Sequence, residues 1–209
     1  MLLCDVGNTS FHFLEVNTNT SKELNYKKSV DSFSPQEIEE EIYYICVNHD
    51  VKKVLDTLDN WIDVSEHINM TPYYETMGID RIVACEAVQN AVIVDAGSAI
   101  TVDVVKDGVF NGGFIYPGTK AMSDTYTNIS SALKYDFNYE LDLITLPTNS
   151  RDAISYAYLK LLYTEVTSYN INIVLTGGDA KKLSSIFPKA RVDEKLIFKG
   201  IQKLINYKR

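Results

Sequence analysis

Three segments of this 209-residue sequence share one pattern, in which an apolar run ends and a polar turn containing glycine follows at once. They are Leu2–Thr9, Val92–Thr101 and Ile173–Ala180. Glycine in such a turn lets the backbone approach a ligand closely and exposes N–H donors, an arrangement that suits a phosphate group. Further neutral donors stand in the first two segments: Asn8, Thr9, Ser98 and Thr101. The pattern therefore predicts a phosphate-binding site made from turns.

Two carboxylates, Asp5 and Asp95, stand beside these donors. A carboxylate repels a phosphate unless a cation lies between them. Mg²⁺ with retained waters is the natural cation, because a nucleotide supplies its remaining ligands. We therefore expect a metal–nucleotide complex as the ligand. Each segment alone is also typical of an ordinary hairpin or strand-to-helix turn, and only their succession along the chain favours the phosphate site.

The composition limits the classes of protein that fit. Hydrophobic residues make up 45% of the chain and charged residues 23%, which are ordinary globular values and exclude a disordered chain. The 20 Lys and Arg against 28 Asp and Glu give a net charge of −8. A nucleic-acid binder needs a basic surface to displace phosphate counterions, so we expect no nucleic-acid partner.

The cysteines and the N-terminal residues bear on the compartment. Cys4, Cys46 and Cys85 have no CxxC spacing, so we expect reduced thiols and neither a disulfide framework nor a zinc site. Met1–Cys4 has no basic residue and is directly followed by an aspartate, which argues against a signal peptide. No stretch approaches the ~18 apolar residues of a membrane span. The expected location is cytoplasmic, without membrane association.

The strands and helices that must position the turns follow from the residue patterns. A β-hairpin is predicted for Leu2–Val6 and Thr9–Val16, and a three-stranded meander from Ala91 to Ile115. Ser34–Glu37 resembles a helix capping box, with Ile38, Ile42 and Ile45 on one face of the predicted helix. The other predictions are helices at Ile82–Val88, Arg151–Tyr169 and Lys181–Phe187, a helix beginning at Pro117, a strand at Asn172–Leu175, and a closing strand plus helix in Lys195–Tyr207.

The first two segments match as D-x-G-[NS]-[TA], with Asp5 and Asp95 standing 90 residues apart. A repeated strand–turn–strand of this kind indicates a duplicated β-meander domain. The irregular stretch Asn48–Met77 is the expected seam. The predicted division is a subdomain of residues 1–75 with the first phosphate motif and a subdomain of residues 76–209 with the other motifs.

Together with two further motifs, these segments resemble a known family. The D-x-G-N-T start, the second D-x-G-S-A-I-T motif and the T-G-G-D motif are similar to the phosphate and adenosine motifs of the ASKHA kinases. Gly78–Arg81 looks like the G-x-D-R signature of type III pantothenate kinases, and Gly112–Gly118 resembles that family's G-G-x-I-x-P-G segment. The resemblance implies an α/β fold of duplicated ribonuclease-H-like (actin-like, ASKHA) domains. Each would be a mixed β-sheet flanked by helices, with the active site in the cleft between them.

The activity that this resemblance implies is ATP-dependent phosphorylation of pantothenate to 4′-phosphopantothenate, the first step of coenzyme A biosynthesis. It also implies Mg²⁺ as Mg-ATP, a monovalent cation (K⁺ or NH₄⁺) and a homodimer. Phosphoryl transfer depends mainly on positioning and charge neutralisation, so a carboxylate is a reasonable base for a primary alcohol.

The resemblance also implies a role for individual residues. Asp80 is the proton acceptor, Asp95 holds the monovalent cation, and Asp5 holds Mg²⁺ through water. ATP would contact Asp5, Val6, Gly7, Asn8, Thr9, Ser10, Phe11, His12 and Ser98. Pantothenate would contact Tyr73, Gly78, Ile79, Asp80, Arg81 and Ser150. Ser98 stands where the family more often has Thr, and the choice between Tyr73 and Tyr74 is open, with Tyr73 favoured.

Two rival functions remain at the level of sequence. A non-catalytic ASKHA-fold regulatory or accessory protein could dispense with its catalytic base, whereas this chain keeps Asp5, Asp80 and Asp95. A sugar kinase of the same fold would share the ATP motifs but should lack Gly78–Arg81 at this place.

Overall fold

The computed structural model describes residues 1–17, 20 and 22–207, which form two compact units. The first unit comprises Met1–Ala87 together with the C-terminal segment that begins at Lys195, and the second comprises Val88–Glu194. These bounds differ from the expected division into residues 1–75 and 76–209. Residues 76–87 and the segment that begins at Lys195 belong to the first unit, whereas the sequence placed them in the second.

Each unit is built on a five-stranded mixed sheet, and both sheets have the same strand order. The first sheet contains β1 (Leu2–Val6), β2 (Ser10–Asn17), β3 (Lys22–Ser29), β4 (Ile42–Cys46) and β5 (Trp61–Asp63) in the order β3-β2-β1-β4-β5. The second contains β6 (Ala91–Ala96), β7 (Ala99–Lys106), β8 (Val109–Pro117), β9 (Ile173–Thr176) and β10 (Arg191–Val192) in the order β8-β7-β6-β9-β10.

In both sheets the first three strands form an antiparallel meander, and the fourth and fifth strands add in parallel. The predicted hairpin and the predicted meander are therefore confirmed. The repeat seen in the sequence is a repeat of the fold, since β1 corresponds to β6 and each later strand to its counterpart.

Six α-helices accompany these strands within the described residues. They are α1 (His49–Leu55), α2 (Ile79–Glu86), α3 (Thr119–Ile129), α4 (Ser150–Ser168), α5 (Ala180–Leu183) and α6 (Leu196–Tyr207). In the first unit, α2 packs against α6, and both contact β4. This packing explains why residues 76–87 and the C-terminal helix belong to the first unit. No helix in the part of the chain that the structure describes is long and apolar enough to cross a membrane.

Each sheet has its own hydrophobic core. In the first unit, alternate residues of β2 place Phe11 and Phe13 in an aromatic cluster with Tyr44 and Trp61. In the second unit, one face of the sheet packs against α4 and α5. Large members of this second core are Leu159, Leu162, Leu175 and Phe187.

Some predicted elements are wrong. Ser34 makes no side-chain cap, and only a single 3-10 turn, Pro35–Glu37, forms there. Ile42 and Ile45 belong to strand β4, which is inserted between β1 and β5. Lys195–Tyr207 contains one helix, with no closing strand among its described residues. Pro117 ends β8, and α3 begins after Gly118.

Candidate active site

The turn between β1 and β2 is the first predicted phosphate loop. The Gly7 amide donates to the Ser10 carbonyl over 2.9 Å and closes the turn. Asn8 and Thr9 are exposed at its tip. The Asn48 side chain donates to the Asn8 carbonyl over 3.3 Å, which ties the turn to the start of α1. The structure thus presents the tip of this turn to solvent while its base is fixed.

Three members of the predicted ATP set lie in or beside the core of the first unit. Val6 and Phe11 are buried, so only their backbone groups are available to a ligand. The His12 imidazole is hydrogen-bonded to Asn25 Oδ1 at 2.5 Å, and its ring packs edge-on against Phe198 of α6 at 4.8 Å. The His12 side chain is therefore held by β3 and α6.

Asp5 stands one residue before the end of β1 and pairs with His12 across the hairpin. The residue is half-buried. Burial raises the pKa of the neighbouring Cys4 thiol well above its ordinary value, and the Asp5 charge adds to that shift. The negative charge of Asp5 thus acts at the end of the strand from which the first turn departs.

The turn between β6 and β7 repeats the first turn in a shorter form. Asp5 pairs with His12 in the first hairpin, whereas Asp95 pairs with Thr101 in the second. The Gly97 amide donates to the Ala99 carbonyl over 3.0 Å. Gly97, Ser98 and Ala99 are all exposed. The second turn is therefore tighter than the first, with Ser98 at its tip.

The second and third motifs meet in the second unit because β9 lies beside β6 in parallel. Gly177 has φ +85°, and a Cβ there would stand 2.3 Å from Asp95 Oδ1 and 2.7 Å from the Ala96 carbonyl oxygen. The Asp179 amide donates to that same carbonyl over 2.9 Å. Only glycine fits at position 177, since both the backbone angle and the space exclude a side chain.

The end of β8 joins the same group of turns. The Gly118 amide donates to the Ser98 carbonyl over 3.2 Å, and a Cβ on Gly118 would stand 2.2 Å from that oxygen. The Pro-Gly step of the G-G-x-I-x-P-G segment thus packs its backbone directly on the second phosphate turn. The structure also brings two residues here that the motifs do not single out, Thr119 and Lys182. The only sequence signal for either residue is its position. Thr119 directly follows Gly118, and Lys182 stands three residues after Asp179.

The G-x-D-R segment forms the first turn of α2, with Gly78 as the N-cap residue. Asp80 Oδ1 accepts a hydrogen bond from the Arg81 amide over 2.8 Å, which orients the carboxylate at the helix N-terminus, where negative charge is favoured. Within the described residues, the Asp80 carboxylate makes no other hydrogen bond or ion pair.

Arg81 and the two candidate tyrosines lie close to this segment. Arg81 is only 6% exposed, and its Nη1 donates to the Tyr74 hydroxyl. Tyr73 instead donates its hydroxyl to Glu86 Oε1 over 2.8 Å, at the far end of α2. Tyr74 thus lies next to Arg81, whereas Tyr73 is hydrogen-bonded to Glu86.

Ser150 is the first residue of α4 in the second unit and is exposed. The helix start is held by Asn149, whose side-chain oxygen accepts from the Asp152 amide over 2.9 Å. Asn138 and Asn149 both donate to the Asp152 carboxylate and lower its pKa. The hydroxyl of Ser150 therefore sits on a firmly capped helix N-terminus.

No group of three or more His, Cys, Asp or Glu residues is arranged to hold a metal within residues 1–17, 20 and 22–207. Asp5 offers a carboxylate, which is an oxygen ligand of the type that Mg²⁺ takes. At Asp95 the donors are hard oxygens, the carboxylate and the nearby Ala96 carbonyl, which are of the type that alkali and alkaline-earth cations take. Both carboxylates fit the cations expected of them in donor chemistry.

Duplicated mixed sheets with glycine turns at their strand ends define the ASKHA class of actin-like proteins, and solved structures agree. A 2-dehydro-3-deoxygalactonokinase from Sinorhizobium meliloti matches 99% of this chain and 96% of its own with a TM-score of 0.62 at 9% identity, a likeness of fold alone. A Baf family transcriptional activator from Campylobacter jejuni matches with a TM-score of 0.87 at 34% identity, covering 100% of this chain and 98% of its own.

The sequence comparisons define the family within that class. The family model described as type III pantothenate kinase matches residues 47–169. A type III pantothenate kinase of Sulfurimonas denitrificans is 57% identical over 205 residues, covering 98% of this chain and 97% of that protein. The chain belongs to the type III pantothenate kinase family.

Proposed function

We propose that this chain transfers the γ-phosphoryl group of ATP to the primary hydroxyl of pantothenate, giving 4′-phosphopantothenate at the start of coenzyme A biosynthesis. The observation that carries the proposal is 57% identity to a protein of that name over nearly the whole chain. The Gly78–Arg81 segment at the start of α2 supports it, because it supplies a carboxylate and a guanidinium on consecutive residues.

Asp80 is the proposed base. Its Oδ1 is held by the Arg81 amide, so the carboxylate is oriented before substrate arrives, and the other oxygen takes the proton of the attacking hydroxyl. The Arg81 guanidinium is the proposed partner of the pantothenate carboxylate, an anion that it can bind through paired N–H groups. We place Tyr74 rather than Tyr73 beside this contact, because Tyr74 is the tyrosine that Arg81 bonds. Ser150 remains the proposed hydroxyl contact from α4.

The nucleotide is proposed to use mainly backbone groups. The exposed tips at Asn8–Thr9 and at Ser98 offer amides and hydroxyls to phosphate oxygens. Val6 and Phe11 are proposed to act through their backbone alone, and His12 through its place in the hairpin that carries the loop. This use of amides explains how a chain with a net charge of −8 can handle a polyphosphate.

Cations supply the remaining positive charge. Mg²⁺ held near Asp5 with ATP would neutralise the negative charge that develops during transfer. Asp5 is the proposed residue that holds it through water, and Asp95 is the proposed ligand of K⁺ or NH₄⁺. The chain's own part is to keep each carboxylate beside a glycine turn, where the phosphates bind.

The homodimer is also part of the proposal. Several large apolar side chains of the second unit are exposed in this single chain: Val109, Ile115, Ile129, Ile144, Leu146 and Leu161. β8 is in addition an edge strand, whose outer backbone groups invite another strand or a covering surface. A second copy of the chain is the proposed cover.

The test is ADP release by the purified protein with ATP, Mg²⁺ and pantothenate, with and without K⁺. Asp80→Asn keeps the shape of the side chain and should lower kcat by about 10²–10⁴-fold. Asp50→Asn is the matched control, because Asp50 is also an acidic residue in the first turn of a helix, but it is exposed and forms an ion pair with Lys53.

The wild type and Asp50→Asn should both show pantothenate-dependent turnover. No such turnover under any cation would overturn the kinase assignment and favour a regulatory protein of the same fold. Turnover with a sugar in place of pantothenate would favour a sugar kinase. Full activity of Asp80→Asn would overturn only the base assignment.

A further inference from the structure

The Asp179 carboxylate lies where three turns of the second unit meet. Its own amide bonds the Ala96 carbonyl at the second phosphate turn. Its Oδ2 accepts from the Thr119 hydroxyl over 3.2 Å, and its Oδ1 accepts from Lys182 Nζ over 2.7 Å. One side chain therefore connects the β9–α5 turn with the start of α3, two segments 60 residues apart.

The burial of Thr119 makes the loss of its hydrogen bond to Asp179 costly in free energy. The Thr119 residue is 7% exposed, and a buried hydroxyl is costly to leave without a partner. Tyr139 is a further member, since it lines the same groove as Thr119. Burial raises the Tyr139 pKa, and the Thr119 side chain acts in the opposite direction. We call Tyr139, Thr119, Asp179 and Lys182 the Asp179 clasp.

The clasp acts on the turn that carries Ser98. Thr119 directly follows Gly118, whose amide bonds the Ser98 carbonyl, so fixing Thr119 fixes the residue that supports the turn from one side. The Asp179 amide bond to Ala96 supports the same turn from the other side. The backbones are already at contact distance, so a small displacement of either support moves the turn.

The clasp also faces a ligand-sized space. All four of its members line an open groove of about 910 Å³ beside α3. The carboxylate is 27% exposed and the Lys182 side chain 61%, so solvent and ligand can reach the charged end of the clasp. The charged end of the clasp therefore lies on this groove of the second unit.

We propose that the Asp179 clasp is a positioning device for ATP, which holds the Gly97–Ser98 turn in its phosphate-binding geometry. This rests on the proposed kinase function. Thr119 and Asp179 act through the turn and are positioning residues, without a role in the proton transfer. Misplacing a binding loop weakens the ligand that it contacts and leaves a separately bound substrate nearly unaffected.

The test compares Thr119→Val, which removes the hydroxyl at constant shape, with Thr119→Ser, which keeps it. Asp179→Asn removes the negative charge of the carboxylate to which Lys182 and Thr119 donate hydrogen bonds. Lys181→Gln is the matched control, because Lys181 neighbours Lys182 but pairs with Glu194 at 3.1 Å. The readouts are the KM for ATP, the KM for pantothenate, kcat, the melting temperature, and calorimetric titration with a non-hydrolysable ATP analogue.

Thr119→Val and Asp179→Asn should raise the KM for ATP and weaken the analogue by about tenfold, with the KM for pantothenate within about twofold of wild type. Thr119→Ser should restore the wild-type values, and Lys181→Gln should keep them. Folded variants with unchanged ATP affinity would overturn the proposal. So would an equal rise of both KM values together with a lower melting temperature, which marks a general structural role.

A third variant tests the proposal if Thr119→Val or Asp179→Asn does not fold. Lys182→Gln, at an exposed position, removes the hydrogen bond to Asp179 Oδ1. An unchanged ATP affinity of Lys182→Gln would overturn the proposal. The analogue titration needs no pantothenate. A protein that binds the analogue but does not phosphorylate pantothenate contradicts the proposed function alone, and the clasp is then judged from the titration.

Discussion

Arg81 and Tyr74 form a paired contact at the start of α2: Arg81 Nη1 donates to the Tyr74 hydroxyl, and the guanidinium lies over the Tyr74 ring, 5.7 Å from its centre. A buried guanidinium needs such partners, because an isolated charge away from water is costly. The tyrosine ring also contributes a cation–π attraction. The pair therefore orients the arginine proposed to bind the pantothenate carboxylate.

The two neighbouring tyrosines give a matched test of this role. Tyr74→Phe removes a hydrogen bond to a charged group, so the KM for pantothenate should rise by about tenfold while the KM for ATP stays near wild type. Tyr73→Phe is the same chemical change but removes a bond to Glu86, and it should leave both KM values unchanged. The reverse ranking in steady-state kinetics would restore Tyr73 as the substrate tyrosine.

The close contact between Gly177 and Asp95 predicts a strong position effect within the T-G-G-D motif. Gly177→Ala must adopt φ +85° and place a Cβ 2.3 Å from Asp95 Oδ1, so the free energy of unfolding should fall by about 3 kcal/mol. At Gly178 a Cβ would meet no atom within 4 Å, and the backbone has no positive φ. Gly178→Ala should therefore cost less than about 1 kcal/mol. Urea unfolding of the two variants checks the difference, and equal losses would contradict it.

The Cys46 thiol is predicted to react slowly. Burial raises its pKa to about 11, the backbone of Asn48 acts in the opposite direction, and the nearby Asp63 and Asp5 charges add to the rise. The thiolate is the reactive form. At pH 8 its population should be about a hundredfold below that of a thiol with an ordinary pKa of 9.

Iodoacetamide labelling, with Cys46→Ser as the control that identifies the signal, measures this reactivity. The rate at Cys46 should rise about tenfold for each pH unit between about pH 7 and 9.5 without levelling off. A plateau near pH 9 would show that the thiol titrates as an ordinary exposed cysteine does.

The sequence anticipates the strands and turns of both meanders because these depend on neighbouring residues. Alternating residues and short polar turns fix the antiparallel pairs, as in Leu3 opposite Leu14. The same local logic finds α4 to within one residue at each end. The glycine turns were identifiable for the same reason, since their chemistry is contained in a few consecutive residues.

Long-range pairing explains the main error. Ile38, Ile42 and Ile45 fit a helical spacing, but Ile42–Cys46 pairs in parallel with Leu2–Val6, 40 residues earlier in the chain. That partner supplies backbone hydrogen bonds and a core of aromatic residues, which outweigh the local helical pattern. The Asp179 clasp could not be predicted from the sequence for the same reason. Thr119 and Asp179 come into contact only after the strands on both sides of β6 have paired.

The capped start of α4 predicts how acid destabilises the protein. Asn138 and Asn149 donate to the Asp152 carboxylate over 2.9 and 2.8 Å, and these bonds lower its pKa from the ordinary value of 3.8. A carboxylate whose pKa is lower in the folded state stabilises that state above the unfolded pKa. The contribution is lost as the pH falls through the folded pKa.

Wild type should therefore lose more stability between about pH 6 and pH 3 than Asp152→Asn, which has no proton to gain. The measurement is the urea midpoint at several pH values across that range for both proteins. Asp124→Asn is the control, because the Asp124 carboxylate forms an exposed ion pair with Lys120, and its pH dependence should follow wild type. Parallel curves of urea midpoint against pH for wild type and Asp152→Asn would contradict the role of this carboxylate. A charge that stabilises the helix start must lose that contribution when it is protonated. An amide at the same position has no such contribution to lose.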